Sequence, residues 1–284
     1  MFTKIRKGPL IGVALAVVGF VAVAPAAGVV VRDDPSLHEV GPDSAFNRVG
    51  YLSCAGGTTG VLISPDYILT AGHAVGGVGG HTFTLELPDG PRVYGLAEKF
   101  AHPTEDLALV RLEVTTGLDG YALYEGDDEA DRIGVIAGYG VSGIGEPDAD
   151  AWPRGTLRVG YNYIDAAPLA FLQTDFDGGP DYYHPLSASE EVMPADGDSG
   201  GPVFIDDGGV LKLAGIHICL TDFDGDGVTP EYGDRCYHVR VSACLDWLHE
   251  MNPQLPEPGG LALLAVGLPL IAVRRRRRAA TGAA

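Results

Sequence analysis

Between residues 33 and 241 the apolar positions fall in short runs, at 60–63, 67–70, 107–112, 133–137, 203–205 and 211–216, each bounded by Gly, Pro or Asp clusters. No long segment repeats its apolar residues at the helical period, so the pattern predicts an all-β barrel or sandwich. One short helix is expected over 242–252. Ser242 is placed to cap it, Leu245 and Leu248 fall three apart with Trp247 beside them, and Pro253 ends it. The acidic stretches 127–129 and 146–150 read as solvated turns.

Two further apolar runs lie outside this body. Lys4, Arg6 and Lys7 precede the run 10–23, which leads to Ala24-Pro25-Ala26-Ala27, the small-residue pattern of a signal peptidase site. Residues 1–27 therefore read as a signal peptide and 28–44 as the N-terminal segment of an exported chain. A retained N-terminal anchor is the competing reading, because apolar residues continue to Val31. At the other end, Pro256-Glu257-Pro258 leads into the apolar run 261–273 and then Arg274 to Arg278. This arrangement within 253–284 resembles the PEP-CTERM sorting signal of Gram-negative bacteria. The resemblance implies cleavage near the Pro-Glu-Pro by an exosortase-type membrane enzyme. The arginines hold that end in the cytoplasm and leave the body outside. Thirteen apolar residues containing Pro269 fall short of the roughly 20 of a comfortable span, which suits a transient transmembrane anchor. The body is expected at the cell envelope, the outer surface or the extracellular matrix.

Composition narrows the function classes. At 46% apolar and 20% charged residues, the chain is neither a disordered polyanion nor a many-pass membrane protein. About 220 residues between the two ends suffice for one large all-β domain or two small ones sharing a core. All 38 acidic residues lie between Asp33 and Glu257 while eight of the 19 basic ones sit in the ends, so the body sets 11 positive charges against 38 negative, a net of −27. Such a surface repels nucleic acid and anionic headgroups, and no nucleic-acid partner is expected. Four cysteines in an exported chain suggest two disulfides in one of three connectivities. Cys219 with Cys236 closes a local loop, which leaves Cys54 to Cys244.

A hydroxyl is a poor nucleophile at neutral pH. Serine catalysis needs an imidazole to take its proton and a carboxylate to hold that imidazole's tautomer and orientation. The sequence offers all three. His73 follows the β-rich run 60–71, in Ala71-Gly72-His73-Ala74, and Asp106 stands at the mouth of the apolar strand 107–112. Ser199 sits in Gly197-Asp198-Ser199-Gly200-Gly201-Pro202-Val203, a turn with little side-chain bulk to obstruct a substrate carbonyl. Two more motifs accompany them, Ile136-Ala137-Gly138-Tyr139-Gly140 and the segment 239–248. In the order His, Asp, Ser, spaced 33 and 93 residues, these resemble the chymotrypsin-like (trypsin family) serine peptidases over about residues 48–251.

The resemblance implies two packed antiparallel six-stranded β-barrels with a short C-terminal helix. The peptidase domain would span 45–252, with barrel 1 over about 45–125 and barrel 2 over about 130–241. It implies that Ser199 attacks the scissile carbonyl, His73 acts as base and then acid, Asp106 orients His73, and the N–H groups of Gly197 and Ser199 form the oxyanion hole. The chain is then a monomeric serine endopeptidase that acts on protein or peptide substrates through an acyl-enzyme and needs no organic cofactor. Its competitor is a catalytically idle trypsin-fold module that binds a matrix or surface partner. Such a module has no need of His73, Asp106 and Ser199 together.

Departures from the family pattern bear on the details. Ala74 follows the histidine where vertebrate relatives carry a cysteine, so one family disulfide is absent. No Ile-Val-Gly-Gly-like start occurs near Val29-Val30-Val31-Arg32. Activation by a new amino terminus paired with Asp198 is therefore not expected, and Asp198 is left to another partner or to bracing the turn by hydrogen bonds. Met193 stands six residues before the nucleophile, where trypsin has the aspartate that binds Lys or Arg. Gly215-Ile216-His217 is similar to the Gly-Ile-His of glutamyl endopeptidases, against the plainer reading of a packed, hydrogen-bonded histidine, and Leu220 narrows the site. The pocket at Met193, His217 and Leu220 is thus open between small or apolar residues and glutamate.

Asp222-Phe223-Asp224-Gly225-Asp226-Gly227 has the alternate carboxylates and turn glycine of a calcium loop. Its twelfth position is Gly233, with Glu231 or Asp234 as substitutes, and a solvated acidic loop braced by Cys219 and Cys236 is the alternative. Thr174-Asp175-Phe176-Asp177-Gly178 repeats the residues of 221–225. His38, His81, His102, His184, His238 and His249 show no His-x-x-x-His spacing, so they read as surface or hydrogen-bonded side chains and zinc hydrolysis is not expected.

Overall fold

The structure is a computed structural model that describes residues 29–31, 34–145, 154–177, 191–223, 225, 227 and 229–256. The expected signal peptide at 1–27, the chain from 257 onward, the acidic loop 146–150, His184, Asp224 and Asp226 lie outside these residues. Among the described residues no helix is long and apolar enough to cross a membrane.

In chain order the strands are β1 (Val30–Val31), β2 (Val49–Leu52), β3 (Thr58–Ser64), β4 (Tyr67–Ala71), β5 (Thr82–Leu85), β6 (Arg92–Ala101), β7 (Leu107–Leu112), β8 (Ala122–Leu123), β9 (Ile133–Gly138), β10 (Gly143–Ile144), β11 (Arg158–Tyr163), β12 (Phe171–Asp175), β13 (Val192–Met193), β14 (Pro202–Asp206), β15 (Leu211–Thr221) and β16 (Arg235–Arg240). Helix α1 (Leu245–Met251) follows them. Strands β2 to β7 close a six-stranded barrel in the order β2-β3-β4-β7-β6-β5. The second unit is the antiparallel path β11-β9-β14-β15-β16-β12, with β8 added parallel to β15. A small third sheet sets β1 between β10 and β13. The architecture is all-β, two barrel-like sheets with one short C-terminal helix, as the motifs implied.

Two details of the second unit differ from a simple six-stranded barrel. Its end strands are joined by a side chain: Asn162 of β11 donates from Nδ2 to the Asp175 carbonyl of β12 at 2.7 Å and to the Val192 carbonyl at 2.9 Å. The amide thus takes the place of a backbone ladder. In addition β8 lies within the expected span of barrel 1, yet it pairs with β15 of the second sheet.

Side-chain alternation explains why the strands read as continuous apolar runs. Successive residues face opposite sides of a strand, and here both sides are buried. On β3, Val61 and Ile63 face the seam between the barrels while Leu62 fills the interior of the first. Leu107 and Leu109 of β7 join the seam and Val110 and Leu112 the interior. On the second unit, Val135, Ala137 and Phe204 meet them across the seam, while Ile136, Val203 and Ile205 fill the second interior. Strand β6 was not anticipated, because only Tyr94 and Leu96 of its ten residues are buried and charged residues interrupt it.

The C-terminal helix is shorter than the expected 242–252. Val241–Cys244 forms a 3₁₀ turn and α1 begins at Leu245. Ser242 does not cap the helix; its hydroxyl donates to Glu129 Oε1 at 2.7 Å. Glu129 is fully buried, not part of a solvated turn, and Arg240 donates to both its oxygens at 2.8 and 2.5 Å. A buried carboxylate must have its lone pairs satisfied, and that demand takes Ser242 from the helix end.

The expected disulfides are not formed, and all four cysteines carry free thiols. Cys54 packs inside the first barrel and Cys244 in the seam, two separate clusters. Leu220, not Cys219, stands opposite Cys236 in the β15–β16 ladder. Adjacent residues alternate faces, so the exposed Cys219 and the buried Cys236 point to different sides of the sheet.

Candidate active site

The β4–β7 ladder sets Ala71 opposite Leu107. The residues just beyond that pair, His73 and Asp106, therefore meet although they lie 33 apart in the chain. The Gly72 N–H donates to the Asp106 carbonyl at 3.1 Å and closes the corner. Asp106 Oδ2 lies 2.5 Å from His73 Nδ1, and Oδ1 accepts the His73 backbone N–H at 2.8 Å. On the far side of the ring, His73 Nε2 lies 2.9 Å from Ser199 Oγ. This network assigns the tautomer with the proton on Nδ1, leaving Nε2 to accept from the Ser199 hydroxyl. Burial raises the Asp106 carboxyl, but the hydrogen bonds and charge of His73, with Lys99 nearby, outweigh it and hold the group below the usual carboxylate range. Lys99, on β6, donates from Nζ to the Gly72 carbonyl at 2.7 Å and to the Val75 carbonyl, pinning the loop that carries His73. No motif marks Lys99 in the sequence.

Ser199 comes from the turn before β14. Three backbone bonds shape the turn: Asp198 N–H to the Ala195 carbonyl, Gly201 N–H to the Asp198 carbonyl, and Gly200 N–H to the His217 carbonyl. The first barrel anchors it through Thr59. The Thr59 N–H donates to the Ser199 carbonyl at 3.1 Å, and its hydroxyl donates to the Gly197 carbonyl at 3.2 Å while accepting the Tyr139 N–H at 3.0 Å. This close approach requires glycine at 200, where φ is +85° and a Cβ would lie 2.0 Å from Thr70 Oγ1. Among the described residues, neither the Gly197 nor the Ser199 N–H is spent on another acceptor.

Asp198 is buried behind the turn, with Oδ1 accepting the Gly140 N–H at 2.8 Å and Oδ2 the Ala195 N–H at 3.0 Å. Burial pushes its carboxyl up to about 7, against those N–H bonds and the charges of Arg158 and Arg154. The glycine before Tyr139 has its reason here: a Cβ on Gly138 would lie 1.9 Å from Asp198 Oδ1. Val29, Val30 and Val31 are buried as well, with Val30 opposite Met193 on one side and Gly143 on the other.

The three residues assigned to the pocket gather around Cys236, which the sequence reading had paired with Cys219. Met193 is fully buried in one cluster with Cys236, and Leu220 packs against that cluster. His217 is 3% exposed, with Nδ1 2.9 Å from Cys236 Sγ. In the loop read for calcium, Asp222 accepts the Gly225 and Gly227 N–H groups at 2.6 and 2.9 Å. Asp234 accepts those of Phe223 and Glu231, both at 3.1 Å. Among the described residues, two groups have ligand-type side chains close enough to share a metal ion: His217, Cys236 and His238, and Asp175, Asp177 and Glu191.

A family model described as Trypsin matches residues 43–248. Two curated relatives, both named as peptidases and both from Corynebacterium glutamicum, are 26% identical over 204 residues and 25% over 202. Each match covers 71% of this chain and 64% of the relative, so the chain spans less than two thirds of the length of either. The solved structure of neuropsin, a serine protease expressed in the limbic system of mouse brain, superimposes with a TM-score of 0.57 at 17% identity, over 75% of this chain and 97% of that one. That likeness concerns the fold.

Proposed function

The chain belongs to the trypsin family, and we propose that it is a secreted or cell-envelope serine endopeptidase that hydrolyses peptide bonds through an acyl-enzyme on Ser199. The observation that carries this reading is the unbroken line from Asp106 through His73 to Ser199, at 2.5 and 2.9 Å, across the seam between the barrels. Ser199 Oγ attacks the scissile carbonyl as its proton passes to His73 Nε2. The oxyanion takes the unspent N–H groups of Gly197 and Ser199, and Asp106 stabilises the imidazolium. His73 returns the proton to the leaving amine, and water repeats the two steps to release the acyl group. Proton transfer and oxyanion stabilisation each contribute about 10² to 10⁴ in rate.

Substrates are proteins or peptides. Met193 and Leu220 bring no carboxylate to the pocket, so cleavage after Lys or Arg is not expected, and a peptide-library profile dominated by those residues overturns this part. The monomer needs no organic cofactor and binds no nucleic acid. Signal peptidase processes it at 1–27, and an exosortase-type enzyme sorts it at 253–284 to the envelope, surface or matrix of a Gram-negative cell. A fluorophosphonate probe on the purified protein, with the labelled peptide located by mass spectrometry, tests the nucleophile. Label at Ser199 that Ser199→Ala loses is the expected result. Folded protein that stays unlabelled, before and after removal of the residues preceding Val29, overturns the reading in favour of an idle binding module.

A further inference from the structure

One cluster of reactive side chains carries no step of the peptidase chemistry, although its His217 is also one of the residues assigned to the pocket. His217 of β15 stands directly opposite His238 of β16, with ring centroids 5.5 Å apart. Cys236 lies two residues before His238 on the same strand, hence on the same face. The side chains are 3%, 0% and 0% exposed for His217, Cys236 and His238. One ligand atom from each lies within 4.8 Å of the other two, and the Cys236 Sγ to His217 Nδ1 edge is 2.9 Å. His238 is anchored on one side only. Its Nε2 meets Thr174 Oγ1 at 3.2 Å, and its Nδ1 is buried with no hydrogen-bond partner.

A buried imidazole nitrogen without a partner is costly, and two imidazoles with a thiol are the donor set that borderline cations take from proteins. We propose that His217, Cys236 and His238 form a Zn²⁺ site beside the nucleophile turn. Tetrahedral zinc with ordinary bond lengths puts its ligand atoms roughly 3.4–3.6 Å apart. The short edge therefore has to open by roughly 0.6 Å and the longest to close by about 1.4 Å at most. His238 would bind through Nδ1 with Thr174 holding the opposite nitrogen, the outer-shell support that metal-bound histidines need. Three protein ligands leave a fourth position for water or a substrate group.

Protonation states suit this set. Burial, with the neighbouring His238 and His73, keeps the His217 imidazole well below its ordinary value, and burial puts His238 at about 3. Both bind metal in the neutral form. Burial keeps the Cys236 thiol protonated, so zinc displaces the Sγ–H proton to solvent. The site also shares backbone with the catalytic turn, because the His217 N–H donates to the Gly201 carbonyl at 2.8 Å and its carbonyl accepts the Gly200 N–H at 2.9 Å. Zinc would stiffen the wall on which Ser199 is mounted.

The test is a titration of the chelator-treated protein with Co²⁺, a coloured stand-in for Zn²⁺, followed by melting with and without Zn²⁺. Expected are a thiolate-to-cobalt charge-transfer band that saturates at one equivalent and a rise in Tm of about 5 °C or more with Zn²⁺. Cys236→Ser should lose the band, and His238→Gln, which removes a ligand outright, should weaken binding by more than the roughly 10- to 100-fold that loss of an outer-shell partner costs. Ser199→Ala should bind as the native protein does, so the site stands or falls independently of the peptidase reading. Wild-type protein with neither band nor shift overturns the proposal. So does a band that survives Cys236→Ser, or a Cys219–Cys236 disulfide mapped in the native protein.

Discussion

Thr59, on the first barrel, donates its hydroxyl to the carbonyl of Gly197 in the nucleophile turn of the second. The same oxygen accepts the Tyr139 N–H, and the Thr59 N–H reaches the Ser199 carbonyl. One small polar side chain thus couples the wall that carries His73 to the turn that carries Ser199 and its two candidate oxyanion donors. Thr59→Val keeps the shape and removes the hydroxyl, which orphans the Tyr139 N–H and the Gly197 carbonyl. We expect a loss of about 1–3 kcal/mol in stability. On the peptidase reading, kcat falls about tenfold or more with KM nearly unchanged, as the oxyanion donors drift. Chemical denaturation and steady-state kinetics on one peptide substrate check both parts, and a fall in stability alone would reduce Thr59 to a structural brace.

Glu129 is the buried centre of a network with Arg240 and Ser242. Burial raises its carboxyl, and the hydrogen bonds from Arg240 and Ser242 outweigh that and hold it below its ordinary value. Its contribution to stability is therefore present above the ordinary glutamate range, near 4.5, and is lost as the pH falls through the lowered value. Glu129→Ala leaves Arg240 without its carboxylate, at a cost of about 3–5 kcal/mol. A melt at neutral pH should show a Tm lower by roughly 10 °C, with the difference from native protein shrinking in acid.

Asp198 has the opposite sign. With its carboxyl raised to about 7, the folded state holds a proton that the unfolded chain has already released. Its contribution is fully present below about 4 and is lost as the pH rises through about 7, a change of a few kcal/mol. Asp198→Asn supplies one acceptor where the Gly140 and Ala195 N–H groups need two, so it lowers stability at every pH. It should also flatten the decline between pH 4 and 7. Denaturant unfolding of both proteins across that range measures the slope, and parallel curves would rule out the titration.

Calcium is expected to leave the melting temperature unchanged. The carboxylates of Asp222 and Asp234 already accept backbone N–H groups of their own loop, two each. The acidic loop is thus internally braced. A Tm that climbs on adding calcium to chelator-treated protein would instead favour the alternate-carboxylate reading of residues 222–226.

The chemistry of a serine nucleophile restricts residue types so tightly that His73, Asp106 and Ser199 stand out in the chain before any fold is known. Their surroundings stand out as well, because a side chain at Gly138 or Gly200 would strike Asp198 or Thr70. The central strands were legible for a related reason. With both faces of β3 and β7 buried, the apolar runs 60–63 and 107–110 are uninterrupted.

Other features follow from contacts between distant residues, which local spacing does not encode. Thr59 and Lys99 look like ordinary strand residues until the barrel closes around the triad. Glu129 sits in a stretch of acids that reads as solvent-facing, and only the arrival of Arg240 and Ser242 makes its burial tolerable. Histidines sought at helical spacing are missed when the pairing is across strands, as with His217 and His238. The same ladder puts Leu220 opposite Cys236, so the disulfide suggested by loop length gives way to a free buried thiol. Residue types and short motifs are set by covalent chemistry and the strand period, and the sequence alone determined them. Cross-strand register and the burial it imposes arise only when separate strands pack, and these decided which polar groups meet.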